Sequence, residues 1–242
     1  MTTSNSNAAI LNSAMNYLSH LLGLIECQDW EQFEAVALSN PETFIMISRS
    51  ISDCEEFNGM TLLHACVRFD PPISVLKKMI TMYPRALMCE DCLGRTPLHV
   101  AAGSGSSPLI IRLLTVNYPA ACNVQDEDGR TPLLFACDTS CELFDDDDSS
   151  TGPRDPPSLA TVRVLLAGSL DSVILEDVDE MNAVEYAIVS DAPIEVVNLL
   201  QRACQRVKRT NAKKTSDSRS ASPTSSSSSF SASPISRIAV QC

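Results

Sequence analysis

The residues of this chain that could carry chemistry are three histidines and ten cysteines. Cys89 and Cys92 form the sequence CEDC, a spacing that can begin a zinc site or a redox pair. A zinc site needs further ligands, and the best second pair, Cys137 and Cys141 in CDTSC, is more widely spaced. A metal site and a regulatory thiol pair therefore stay open, beside cysteines that have no chemical role.

An acidic run at residues 145–148 raises the question of a calcium site. An EF-hand loop alternates its ligands and has a glycine at its turn, and this run has neither feature. We interpret the run as a solvated acidic loop, with contact to a basic partner as a second role. The chain also lacks a Gly-x-Ser-x-Gly motif, a His-Glu-x-x-His motif and a glycine-rich phosphate loop after a strand. We therefore predict no enzyme, no cofactor and no small-molecule substrate.

Charge is distributed unevenly along the 242 residues, whose formal net charge is −12. Residues 201–242 carry eight basic side chains and one acid, so residues 1–200 have a net charge of −19. A body this acidic repels nucleic acid and anionic membranes, whereas the tail can attract either, or an acidic protein.

The N-terminus predicts the compartment. No Lys or Arg precedes Arg49, so the basic region of a secretory signal and the arginines of a mitochondrial presequence are missing. The sequence has no run of 18 apolar residues, as a membrane-spanning helix would need. We expect a protein of the cytoplasm or nucleus with reduced thiols and no membrane association.

Internal repeats organise the middle of the chain. The segments NGMTLLHACVRF (58–69), LGRTPLHVAAGS (93–104) and DGRTPLLFACDT (128–139) place Thr61, Thr96 and Thr131 at intervals of 35 residues. Downstream, Tyr83-Pro84 aligns with Tyr118-Pro119. A weaker fourth copy, DEMNAVEYAIVS (179–190), follows an acidic insertion at 138–158.

Each copy has the signals of a turn followed by two helices. Gly59, Gly94 and Gly129 suit a turn position with positive φ, and the threonine that follows can cap a helix. Pro97 and Pro132 fit the first helical position. A second apolar helix follows, as in 107–118, and two such short helices must stack on neighbouring copies to bury their apolar faces.

These residues resemble the ankyrin repeat, whose motif is Thr-Pro-Leu-His-x-Ala with a period near 33. The resemblance covers residues 58–204 and implies an all-α, helix-turn-helix solenoid with short loop hairpins. It also implies that His64 and His99 join neighbouring repeats through hydrogen bonds. The sequence departs from the motif at a few positions, namely Leu62, Leu134, Asn182, Ala183 and Glu185.

The remaining segments complete the predicted organisation. Residues 1–9 are expected to be flexible, and residues 10–57 to form a helical cap or a divergent repeat. Residues 205–242 are basic and rich in serine, and we expect them to be disordered.

The resemblance implies a non-catalytic scaffold that binds a protein partner through its loop tips and concave face. The predicted contact residues, transferred by position, are Arg68, Phe69, Asp91, Leu93, Arg95, Ser104, Asp126, Asp128 and Arg130. Among them, Phe69 beside Arg68 is the best candidate for an anchor.

Two alternatives remain beside this function. A nuclear regulatory adaptor would use the basic tail as an import signal, formed by Arg206, Lys208, Arg209, Lys213 and Lys214. Ser222 and Ser233 precede prolines and are candidate phosphorylation sites that would reduce the charge of the tail. A thiol- or metal-dependent protein would instead use the cysteines with His64 and His99.

Overall fold

Three helices precede the first repeat in the computed structural model, which describes residues 3–51, 59–140 and 155–220. They are α1 (Thr3–Glu26), α2 (Trp30–Ser39) and α3 (Pro41–Ile51), so the described part of the predicted 10–57 segment is helical. α1 begins at Thr3, within the segment expected to be flexible. Phe33 of α2 and Phe44 of α3 pack edge to face with ring centroids 6.3 Å apart, and both are buried.

Four helix pairs follow. They are α4 (Leu62–Val67) with α5 (Ile73–Met82), α6 (Pro97–Gly103) with α7 (Pro108–Asn117), α8 (Pro132–Cys137) with α9 (Leu159–Gly168), and α10 (Ala183–Val189) with α11 (Ile194–Ser220). A short 3-10 turn follows α5, α7 and α9, at Pro84–Met88, Pro119–Asn123 and Asp171–Ile174. The described ranges contain helices and no strands, which confirms the all-α prediction.

The first helix of each repeat begins as its residues predict. Thr61, Thr96 and Thr131 are extended N-cap residues, and prolines stand at the first turn of α6 and α8. The preceding Gly94 has φ +74°, and a Cβ there would meet the Asp126 backbone of the next repeat at 3.4 Å. Glycine is therefore required here both for its conformation and for the close approach of the next loop.

Stacking of the repeats forms one continuous core. α6 lies against α8, and α7 lies against α9, so each helix packs on its counterpart in the next repeat. Leu98 and Ala101 of α6 are buried with Ile110, Ile111 and Leu114 of α7. Small residues in the first helices allow neighbouring repeats to approach closely. A single helix pair could not bury these apolar residues by itself.

Two segments differ in length from a regular array. The acidic insertion lies between α8 and α9, as predicted, and its residues 141–154 are outside the described ranges. The helix α11 continues to Ser220, although the sequence predicted disorder from residue 205. Residues 205–220 contain no Pro or Gly and several strong helix formers, which explains the helix. Residues 221–242 are outside the described ranges.

The chain divides into two units, Met1–Val207 and Lys208–Cys242. In the part of the chain that the structure describes, no helix is both long enough and apolar enough to span a bilayer.

Gly168, the last residue of α9, tests how closely the repeats approach each other. A Cβ on Gly168 would overlap Thr115 Cγ2 and Cys122 Sγ, which belong to buried side chains of the preceding repeat. We expect G168A to lower the free energy of unfolding by about 1–3 kcal/mol in urea denaturation, although alanine favours helices. The control is G23A in α1, where no heavy atom lies within 4 Å of the added Cβ. Equal stability changes in the two variants would contradict this expectation.

Candidate functional site

The first described loop tip is built around the carboxylate of Asp91. Its Oδ1 accepts hydrogen bonds from the backbone N–H groups of Leu93 (3.0 Å) and Arg95 (2.9 Å). Its Oδ2 accepts from Arg95 Nε at 2.7 Å, and the Asp91 N–H donates to the Arg95 carbonyl at 2.9 Å. Both side chains are buried, so this ion pair closes the turn from within.

The second tip repeats this arrangement at Asp126–Arg130. Asp126 Oδ1 accepts from the N–H groups of Asp128 (3.1 Å) and Arg130 (2.7 Å). Arg130 Nη2 lies 2.7 Å from Asp128 Oδ2 and 3.4 Å from Asp126 Oδ2. The Arg130 guanidinium also lies 4.7 Å from the ring centroid of Phe135. Burial raises the pKa of Asp126.

The third tip, Asp177–Met181, keeps the turn but replaces the arginine. Asp177 Oδ1 accepts from the N–H groups of Asp179 (3.0 Å) and Met181 (2.9 Å). Its Oδ2 accepts a 2.5 Å hydrogen bond from the hydroxyl of Tyr186, which stands in for the guanidinium. Burial and this hydrogen bond raise the pKa of Tyr186. Sequence reasoning missed Asp177 because the fourth copy was aligned only from residue 179, two positions later. It missed Tyr186 because the aligned positions of the other copies have no tyrosine.

Hydrogen bonds between the tips join them in a row. The Glu127 N–H donates to the Leu93 carbonyl, and the Val178 N–H donates to the Asp128 carbonyl, each at 2.9 Å. The Gln125 amide donates to the carbonyls of Gly129 (2.6 Å) and Glu176 (3.0 Å). These hydrogen bonds therefore fix the position of each tip, with its exposed side chains, relative to the next tip.

The motif histidines link one repeat to the next. His64 Nδ1 accepts from the Thr61 N–H at 3.0 Å, and its Nε2 donates to the Arg95 carbonyl at 3.0 Å. His99 Nδ1 accepts from the Thr96 N–H at 3.0 Å, and its Nε2 lies 3.2 Å from the Arg130 carbonyl. Burial lowers the pKa of each histidine to about 4, so both are neutral at pH 7. This is the bridging role that the resemblance implied.

Burial corrects three of the predicted contact residues. Asp91, Arg95 and Asp126 are each less than one tenth exposed, because they form the inner hydrogen bonds of the tips. They shape the tips and leave little surface for a partner. An alignment of the repeats does not reveal which way a side chain points.

The other predicted contact residues keep accessible surface. Leu93 and Asp128 are exposed at the tips, whereas Arg130 is partly buried. Arg68, Phe69 and Ser104 are partly buried at the ends of the first helices, with Arg68 5.5 Å from the centroid of the Phe69 ring. The structure thus brings them into two groups, one at the tips and one at the helix ends.

The described cysteines form no cluster that could hold a metal ion. No group of three or more His, Cys, Asp and Glu side chains that could hold an ion occurs among the described residues. Cys92 is exposed, and Cys89 Sγ donates to the Arg85 carbonyl at 3.4 Å. Burial raises the pKa of Cys137 to about 12, so this thiol packs as an apolar group. Cys141 and the acidic run 145–148 lie outside the described ranges.

The candidate import signal lies largely on α11. Arg206, Lys208, Arg209 and Lys213 are exposed along this helix. The side chain of Lys214 and the whole of Ser222 and Ser233 lie outside the part of the chain that can be described.

Stacked helix pairs with hydrogen-bonded loop tips define the class as an α-helical repeat protein. Residues 79–136 match the family model of ankyrin repeats (many copies), and the helical structure of the described residues is consistent with an ankyrin repeat protein. A search of curated proteins found no match. Ankyrin repeats generally serve as protein–protein interaction modules and are typically not enzymes.

Proposed function

We propose that this protein is a non-catalytic scaffold that binds a protein partner through the loop tips and the C-terminal ends of the first helices. The observation that supports this most is that different residues of each tip hold the turn and face the solvent. Asp91 and Asp126 hold the turns from inside, while Leu93 and Asp128 project outward. A rigid support with exposed side chains is what a selective interface needs, because little ordering entropy is lost on binding.

The C-terminal ends of the first helices provide a second group of contacts. The half-buried ring of Phe69 packs against the core, and the Arg68 guanidinium lies over this ring. Aromatic and arginine side chains of this kind dominate the energy of many interfaces. We infer that Phe69 and Leu93 anchor the partner, and that Arg68, Ser104, Asp128 and Arg130 contribute polar contacts around them.

The test compares exposed apolar side chains in different places. The L93S/F69A variant should capture its partner at least tenfold less well than the wild type in quantitative affinity purification, because both anchors are truncated. L38S is the matched control, since Leu38 is an exposed leucine of α2, outside the repeats. Melting temperatures are measured in parallel. If both variants retain the same partners in the same amounts, the proposed surface is wrong.

The basic residues of α11 support an alternative. Four exposed cations on one helix suit recognition by an import receptor or another acidic protein, and the chain would then act as an adaptor in the nucleus. This alternative concerns location and is compatible with partner binding by the repeats.

A further inference from the structure

The last repeat exposes an apolar surface whose equivalent is buried in the first three repeats. Val67, Ala102 and Cys137 occupy the same position in α4, α6 and α8, and each is at most 2% exposed. The equivalent residue of α10 is Ile188, and it is 57% exposed. In the first three repeats the following repeat covers this position, and no repeat follows α10 and α11 in the described part of the chain.

Two neighbouring residues enlarge this surface. Val189, at the end of α10, is 75% exposed, and Ile194, at the start of α11, is 64% exposed. The turn between the helices holds them together, with the Asp191 N–H donating to the Ile188 carbonyl at 3.2 Å and the Ala192 N–H to the Ala187 carbonyl at 2.9 Å. Terminal repeats usually present a polar outer surface to water, so three exposed β-branched residues here point to an interaction site.

The charge around this surface identifies the kind of occupant. Residues 164–201 contain eight acidic residues and no Lys or Arg. Glu180, Glu185 and Glu195 are exposed on the same repeat. Glu185 occupies the repeat position of His64 and His99, whose Nε2 groups donate hydrogen bonds to carbonyls of the next tip. A carboxylate at this position can only accept hydrogen bonds.

We propose that the end of the array, formed by Ile188, Val189, Ile194, Glu180, Glu185 and Glu195, binds a basic amphipathic segment of a protein partner. Apolar side chains of the segment cover the three β-branched residues, and its Lys or Arg side chains pair with the surrounding carboxylates. This inference rests on the proposed scaffold function and adds a second surface with a stated partner chemistry.

The experiment uses the full chain and a synthetic amphipathic peptide of Leu and Lys, with its Leu and Glu counterpart as the reverse-charge probe. We expect the Leu/Lys peptide to bind in fluorescence anisotropy and the Leu/Glu peptide not to bind. I188S/V189S and E180K/E195K should each weaken binding at least tenfold. The control E31K/E42K makes the same charge change at exposed residues of α2 and α3 and should weaken binding less than threefold.

Three outcomes would overturn the proposal. The full chain fails to bind the Leu/Lys peptide, I188S/V189S binds it as tightly as the wild type, or E31K/E42K weakens binding as much as E180K/E195K. Sedimentation velocity adds a fourth, since a dimer that I188S/V189S dissociates would assign this surface to a second copy of the chain. L93S/F69A leaves the surface intact, so its effect on partner capture tests the scaffold function separately.

Discussion

Acidification from pH 7 to pH 5 is expected to lower the free energy of unfolding by about 4 kcal/mol through two buried histidines. His64 and His99 have pKa values of about 4 in the folded chain, because burial disfavours their charged form. In the unfolded chain their pKa is near 6.5, so the unfolded state binds more protons between these values. Their stabilising contribution is complete above pH 6.5 and is lost as the pH falls towards 4. Urea denaturation at a series of pH values measures the effect.

The variants of this experiment separate the histidines from other groups that titrate. H64Q/H99Q should be less stable at pH 7, and its stability should change much less between pH 7 and pH 5. H20Q is the control, because it removes an exposed histidine of α1 and leaves the buried pair intact. The raised pKa of Asp126 acts in the opposite direction, since a carboxyl that is protonated more readily in the folded state favours folding at low pH. An unchanged pH dependence in H64Q/H99Q would show that the histidines are not responsible.

The D91A variant is expected to lose about 3 kcal/mol of stability, although it changes only one residue of a surface loop. The buried carboxylate of Asp91 accepts from two backbone N–H groups and pairs with Arg95 Nε at 2.7 Å. Alanine removes all three interactions at once. D91N should lose less, because an amide oxygen can still accept from the backbone. Chemical denaturation with far-UV circular dichroism measures both.

The matched control for D91A is D128A at the next tip. Asp128 pairs with Arg130 at 2.7 Å but is exposed, and exposed pairs contribute little to stability. We therefore expect D128A to lose less than about 1 kcal/mol. Similar losses in D91A and D128A would mean that the inner carboxylate does not hold the tip together.

The repeats could be predicted because their signals are local. A glycine with positive φ, a threonine cap and a proline at the first turn recur at a fixed spacing, and each acts within a few residues. The bridging role of His64 and His99 came from the resemblance to a family, since their partners lie 31 residues away.

Other features could not be predicted from the sequence. The burial of Asp91 and Arg95 depends on packing between tips, and charged residues in a loop normally suggest exposure. Tyr186 replaces an arginine from a different position, nine residues after Asp177, so no alignment of like residues could find it. The serine-rich composition of residues 205–242 predicted disorder, whereas helix formers without Pro or Gly let α11 continue to Ser220.

Within the described ranges, the hydrogen bonds between tips, and those from the histidines, join adjacent repeats only. A destabilising substitution should therefore affect mainly its own repeat and the adjacent ones. We expect individual repeats to unfold locally without unfolding of the whole array. Amide protons in α6 and α7, which have a repeat on either side, should exchange with deuterium more slowly than those of α10, which has a neighbour on one side. A partner that covers α10 would supply the missing neighbour and slow exchange there.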